Sequence, residues 1–300
     1  MALAVAASAV IAGAVAGSVL WERARAVTPA ALLGRLPLDN ALLFYADFVG
    51  LRQAGILQLL DGSKVGEDPD YLSFVGQTRF NYKRDLDMVV AAFAPTGKFL
   101  LVKGRFDWPS LRAYVASEGG RCRDEICRMA GSAPERRISF FPLRRDLMAL
   151  AVSSDDSAAV RLATVAGAAA ETPDGPLWLS IPVGMLQSGE NLPDGTRNFA
   201  RSLGQAETLT MTFAPDGKRL AARMKVRCHS DADAAEVALQ LTRVTALLRD
   251  LIAREHQKAN PADLSGVLTE GSFHSTGRQV FGYWPIEWSF VDNMLGASRP

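Results

Sequence analysis

Apolar and polar residues recur along this chain in two periods, two for strands and three to four for helices, and the order of the periods is itself repeated. Residues 40–48 (NALLFYADF) read as a buried strand, and 49–51 open a helical pattern that ends near Leu60. A second helix is predicted behind Pro69, at a first helical position ahead of YLSFVGQ. Residues 86–94 and 99–106 then form a strand pair joined at Pro95-Thr96-Gly97-Lys98, followed by a helix over 109–117 capped by Asp107. Strands return over 139–155, and a helix over 158–169 closes the first half.

The second half runs in the same order. Residues 177–181 (LWLSI) predict a strand, and helical stretches begin at Val183 and Thr196. Residues 208–214 and 219–228 predict a strand pair around Pro215-Asp216-Gly217-Lys218, and TLTMTF at 208–213 alternates as a strand with one wet face does. A long helix over 231–256, strands over 272–288 and a closing helix over 287–295 complete it. The expectation is an α+β protein of two related halves, each an antiparallel sheet with helices packed on one face, arising by internal duplication. Its divisions are 1–21 (membrane anchor or signal segment), 22–170 (first α+β repeat), 171–176 (linker) and 177–300 (second repeat). The sharpest sign of duplication is FAPTGK at 93–98 and FAPDGK at 213–218, offset by 120 positions.

A Gly-Lys pair after an apolar run raises the question of a phosphate loop. A P-loop needs Gly, four residues, then Gly-Lys-Ser/Thr. Here Ala92 and Thr212 stand at the first glycine's place, and Phe99 and Arg219 replace the hydroxyl. Each segment also joins strand to strand, where a P-loop joins strand to helix, so both are read as hairpin turns. No cofactor is predicted.

Composition narrows the class. The 300 residues are 48% hydrophobic and 22% charged with a formal net charge of +1, a globular balance with no global field toward nucleic acid. Seven arginines meet three acids over 121–145, without the interleaved aromatics of a single-strand binder. Residues 2–20 carry no charge and end at Trp21, long enough to cross a bilayer as a helix, with GxxxG spacing at Gly13 and Gly17. A cleaved signal with a small-residue site at 12–16 is the alternative. No Lys or Arg precedes the run, which read literally places the body in the cytoplasm. We nonetheless expect an extracytoplasmic body, tethered to the membrane by this helix or released from it.

The cysteines point the same way. Cys122 and Cys127 flank a polar stretch that suits a hairpin turn, where a disulfide can close; two free thiols or a metal site remain open alternatives. Further ligands for a metal would come from Cys228, His229, His256 and His274, whose spacing fits no known site.

Catalytic patterns were sought in Ser153/Ser154 with Asp155/Asp156, in Ser230 beside His229, and in Asp85 with Asp87. Neither serine candidate has a nucleophile-elbow pattern, and the Asp85–Asp87 pair is weighed as catalytic carboxylates against a surface ion pair or turn cap. Asp85 reads as an ion-pair partner of Lys83 or Arg84, and the acids at 67–70 as a helix start. The densest aromatic cluster, 281–290, suggests an exposed binding face of Tyr283, Trp284 and Trp288, with Trp108 as an outlying member, for a protein or glycan partner; core packing is the other reading.

The segments LPLDNALLFYADFVGLRQAGILQLL and FNYKRDLDMVVAAFAPTGKFLLVKGRFDWPSLRAYV resemble a family of uncharacterised bacterial extracytoplasmic proteins. The likeness covers 36–170 and, more loosely, the second half, although Phe80-Asn81-Tyr82 stands where that family has Gly-Leu-Asp. It implies a membrane-anchored, exported body and supplies no catalytic residues. The expected function is a non-enzymatic, envelope-associated binding or scaffold protein. The alternative is an extracytoplasmic hydrolase with its site assembled between the halves.

Overall fold

The structure, a computed structural model, describes residues 27–60, 69–131, 133, 136–164, 171–187, 196–255 and 258–294. The predicted N-terminal anchor, the acids at 67–68 and His256 lie outside the described residues. The strands are β1 (Leu42–Asp47), β2 (Leu86–Ala94), β3 (Gly97–Gly104), β4 (Arg121–Arg123), β5 (Ile126–Ala130) and β6 (Arg137–Arg144). They continue with β7 (Leu147–Ser153), β8 (Leu177–Pro182), β9 (Ala206–Asp216), β10 (Arg219–Cys228), β11 (Ser272–Thr276) and β12 (Gln279–Ile286). Among the described residues all belong to one 12-stranded sheet in the order β11-β12-β10-β9-β8-β1-β2-β3-β7-β6-β5-β4. Every pairing is antiparallel.

β1 and β8 meet at the middle of this sheet. Outward from them the order is β1-β2-β3-β7-β6 on one side and β8-β9-β10-β12-β11 on the other, with the β4–β5 hairpin added to the first side. The seam is filled by main-chain pairing of Leu43–Ala46 with Leu177–Ser180 and by a Tyr45–Trp178 stack with centroids 5.5 Å apart. The two halves are therefore joined edge to edge as one continuous sheet.

The helices are α1 (Pro29–Leu33), α2 (Phe48–Gln53), α3 (Pro69–Thr78), α4 (Tyr82–Asp85), α5 (Trp108–Ser117) and α6 (Ala158–Thr164), then α7 (Val183–Gln187), α8 (Thr196–Ser202), α9 (Asp231–Arg254), α10 (Leu264–Thr269) and α11 (Trp288–Met294). Asp107 caps α5 by accepting from Ser110 N, and Ser230 caps α9 by accepting from Asp233 N. Each such cap contributes about 1 kcal/mol. Asp231 and Asp233 in the first turn of α9 and Arg254 in the last complement its dipole.

One sheet face carries α5 over Val89, Val102, Phe140 and Met148, and continues into the second half, where α9 covers Met224, Val226 and Val280. The register Phe44–Leu179–Met211–Met224 shows that these are the same face. The opposite face is covered in the first half by α1 and α6, which bury Val90, Ala92, Leu101, Ala149 and Ala151. So, among the described residues, the first half carries helices on both faces and the second on one. The reason is legible in β2 and β7, whose near-continuous apolar runs need cover on both sides, whereas β10 alternates apolar with basic residues.

The two hexapeptides both lie in β-hairpins, as their turn chemistry predicts, but they turn at different places. Ala94 pairs with Gly97, leaving Pro95-Thr96 as the loop, while Asp216 pairs with Arg219, leaving Gly217-Lys218. The shift is two residues, which preserves the face of every side chain. Gly217 sits at φ 60° in open space. Gly97 sits at φ 148°, where a Cβ would meet Val152 O at 2.6 Å and Ser153 Cβ at 2.7 Å.

Candidate functional site

The uncovered face of the second half is built row by row. Strand register places Ser180, Thr210, Lys225, Phe281 and His274 across one row, and Thr212, Arg223, Tyr283 and Ser272 across the next, whose β8 member, Trp178, is buried in the first core. Arg227 opposes Thr208 and Gln279 in a third. The strands thus present a column of threonines (β9), a column of cations (β10) and a column carrying Phe281 and Tyr283 (β12). Among the described residues no helix packs over them. A shallow cavity of about 360 Å³ is lined by Arg223, Ser272, His274, Phe281 and Tyr283, among others.

Contacts fix these side chains in place. The Phe281 ring stacks on His274 at 5.3 Å, and the Arg223 guanidinium lies 5.9 Å from the Tyr283 centroid. The Tyr283 hydroxyl donates to Asp216 Oδ2 at 3.1 Å; burial first, then this carboxylate, raises its pKa. Arg227 and His229 share Glu207 at 2.7 and 2.9 Å, and the Arg227 bond holds the Glu207 carboxyl below its usual range. Lys225, in the middle row, is exposed and has no ion-pair partner among the described residues.

The predicted aromatic face is dispersed by this geometry. Tyr283 is on the open face. Trp284, its neighbour along β12, points the other way because successive strand residues alternate, and is 8% exposed in the second core with Phe273 edge-on at 5.1 Å. Trp288 stands on α11, outside the strand rows. Trp108 lies in the first half at the start of α5, its indole N–H donating to Arg145 O at 3.0 Å. His274 entered the sequence reading only as a metal-ligand candidate and Phe281 only within the aromatic cluster; Arg223, Lys225 and Arg227 were missed. Their signal was the alternation R-M-K-V-R-C at 223–228, which specifies a basic outer surface.

The other candidates resolve into structural roles. Cys122 and Cys127 oppose each other in the β4–β5 register and are joined by a disulfide. Asp124 and Glu125 form the loop between them, both at positive φ as a tight hairpin requires. Ser153 Oγ bonds the main chain of Asp155, and Ser230 is a helix cap whose hydroxyl donates to Asp233. Asp85 is buried and paired with Arg84 at 2.8 Å and Arg105 at 3.2 Å. Cys228 is buried in the second core, apart from His229 on the Glu207 side, and among the described residues no three His, Cys, Asp or Glu side chains cluster as metal ligands. Among these residues, too, no helix is long and apolar enough to cross a membrane.

No protein-family model matches the chain, and neither does any curated protein. Among solved structures it is similar to TP0453. Crystal form I of that protein aligns with a TM-score of 0.54 at 11% identity, over 91% of this chain and 98% of that one. Form IV aligns at 0.51 and 12% over 91% and 98%, and form III at 0.51 and 10% over 92% and 100%. At such identity the likeness is one of fold: a large antiparallel sheet with helices.

Proposed function

We propose that this is a non-enzymatic, envelope-associated binding protein that holds a glycan on the open sheet face of its second half. The observation that carries the reading is the row structure of β9–β12. Rings in one column suit the apolar faces of sugar rings, and the hydroxyl and cationic columns beside them suit sugar hydroxyls. The ion pairs at Glu207 and Asp216 hold donors and acceptors in fixed positions, which lowers the ordering cost of binding. The disulfide supports an oxidising compartment, as does the charge-free N-terminal run for export or anchoring. The hydrolase alternative gains no support at the seam, where main-chain pairing occupies the place its site would need.

The test is a glycan array probed with the wild type and with Tyr283→Ala and Phe281→Ala. Expected are one preferred glycan class and at least tenfold weaker binding in either variant, the scale for losing a stacked ring of about 1.5 kcal/mol. Retention by both variants overturns the reading, as does an array with no preferred class.

A further inference from the structure

A second surface, unrelated to the sheet face, lies where α3 meets α4 and β3 meets α5. Here an open cavity of about 570 Å³ lies between Arg79, Phe80, Arg105, Phe106, Trp108 and Arg145. That volume is in the range of small-molecule sites. Its floor is a run of rings: Phe80 and Phe106 stack at 5.7 Å with planes 11° apart, and Phe106 continues to Trp108 at 5.3 Å.

The rim is cationic, and its charges differ in what they already hold. Arg84 and Arg105 clasp the Asp85 carboxylate, which also accepts from Asn81 N at 2.9 Å. Asp107 is engaged as the α5 cap, with Ser110 Oγ donating to it at 2.7 Å. Arg79 and Arg145 make no salt bridge among the described residues, although the Arg79 charge is near enough to help lower the Asp107 carboxyl pKa, after the bonds from Ser110. Four arginines against Asp85 and Asp107 leave the cavity with a formal charge of 4 − 2 = +2. The Trp108 indole bond to Arg145 O pins the β6–β7 turn beside the rings, so Arg145 is held at the edge of the aromatic floor.

We infer that this cavity binds a small ligand carrying an oxyanion, a carboxylate or a phosphate, on a flat apolar body. The body lies along Phe106 and Trp108, and the oxyanion takes the donors of Arg79 and Arg145, whose planar forks match either group bidentately. The inference is independent of the glycan reading, since none of these residues belongs to β9–β12.

The test uses the full chain, ¹⁵N-labelled at the tryptophan indoles, titrated with benzoate, phenyl phosphate, benzamide and inorganic phosphate. Benzoate or phenyl phosphate should shift the Trp108 indole resonance, assigned through Trp108→Phe. Whichever binds tighter identifies the oxyanion. Benzamide, which lacks the charge, and inorganic phosphate, which lacks the ring, should each bind at least tenfold more weakly. Arg145→Ala and Arg79→Ala should weaken binding about tenfold or more, the scale of a charge-assisted hydrogen bond, and Arg145→Lys should recover part of the loss. Neither arginine supports a salt bridge of the fold, so both variants should retain the wild-type melting transition. Absence of saturable binding overturns the inference. So does benzamide binding as tightly as benzoate, or wild-type affinity in both arginine variants.

Discussion

The Asp85 side chain is 10% exposed, while the two arginine side chains that pair with it, Arg84 and Arg105, are 64% and 67% exposed. That asymmetry sets the cost of losing the acid. Asp85→Asn leaves two cations that water can solvate, so the loss is about 1–3 kcal/mol rather than the larger penalty of stranding a buried charge. The Arg84 hydrogen bond is the main reason the carboxyl titrates below its ordinary value. A depressed folded pKa contributes stability above the unfolded value, near 4, and loses it as pH falls through the folded one. Urea unfolding should therefore show wild type ahead of the Asn variant at pH 7, with the gap closing below about pH 4. A gap that persists unchanged in acid would show that the charge is not its source. Sequence spacing made Asp85 readable as an ion-pair member through the adjacent Arg84. Arg105 was not readable, because it arrives from the far end of β3. The paired glycines show the same limit. Gly97 and Gly217 stand at the same place in two nearly identical hexapeptides, yet only Gly97 of the two abuts a neighbouring strand, and that neighbour, β7, is a long-range partner.

At the scale of elements, local pattern carried far. The β2–β3 and β9–β10 hairpins, the Asp107-capped helix and the long α9 all follow from period, cap and turn residues. What pattern did not show was which surface each element would cover. A strand's apolar run says that both faces need cover, but not that α1 and α6 supply it. For the same reason the 281–290 cluster was legible as aromatic while its division between core and open face awaited the strand register. In the β4–β5 hairpin, β5 is held by its pairing with β6 and by Cys127 in the core, whereas the outer strand depends on the disulfide. That outer strand has three residues at the sheet edge, all exposed, and a short hairpin is marginal by itself. Closing a loop of this size removes about 2 kcal/mol of unfolded-state entropy. Reduction should thus speed amide exchange over residues 121–130 while β2 and β3 stay protected, as peptide-resolved hydrogen exchange would show. Equal loosening of β2 and β3 would mean that the hairpin supports the whole sheet.

The whole molecule turns on its seam. The matching strand order on the two sides of β1 and β8 is what a duplication would leave, and together with the paired hexapeptides it supports the proposal that the halves descend from one unit. The displaced turns and the packing of α6 and α11 on opposite faces mark where they differ. The sequence left one continuous sheet and a pseudo-dimer both open, because the residues of β1 and β8 carry only the apolar signature of any central strand. Joined edge to edge, the halves should unfold together, and the coupling should pass through β8, which pairs on both sides. Leu179 opposes Phe44 on one side and Met211 on the other. Leu179→Pro removes a ladder hydrogen bond from a strand paired on both sides, a position proline does not occupy in a central strand. Denaturant unfolding followed separately by far-UV and near-UV circular dichroism should give one coincident transition for the wild type. In the variant it should split in two, with a smaller slope for each step, since each exposes only half the buried surface. If the wild type already unfolds in two steps, the seam joins the halves in space without coupling their stability, and β1–β8 pairing is an abutment of two independent units.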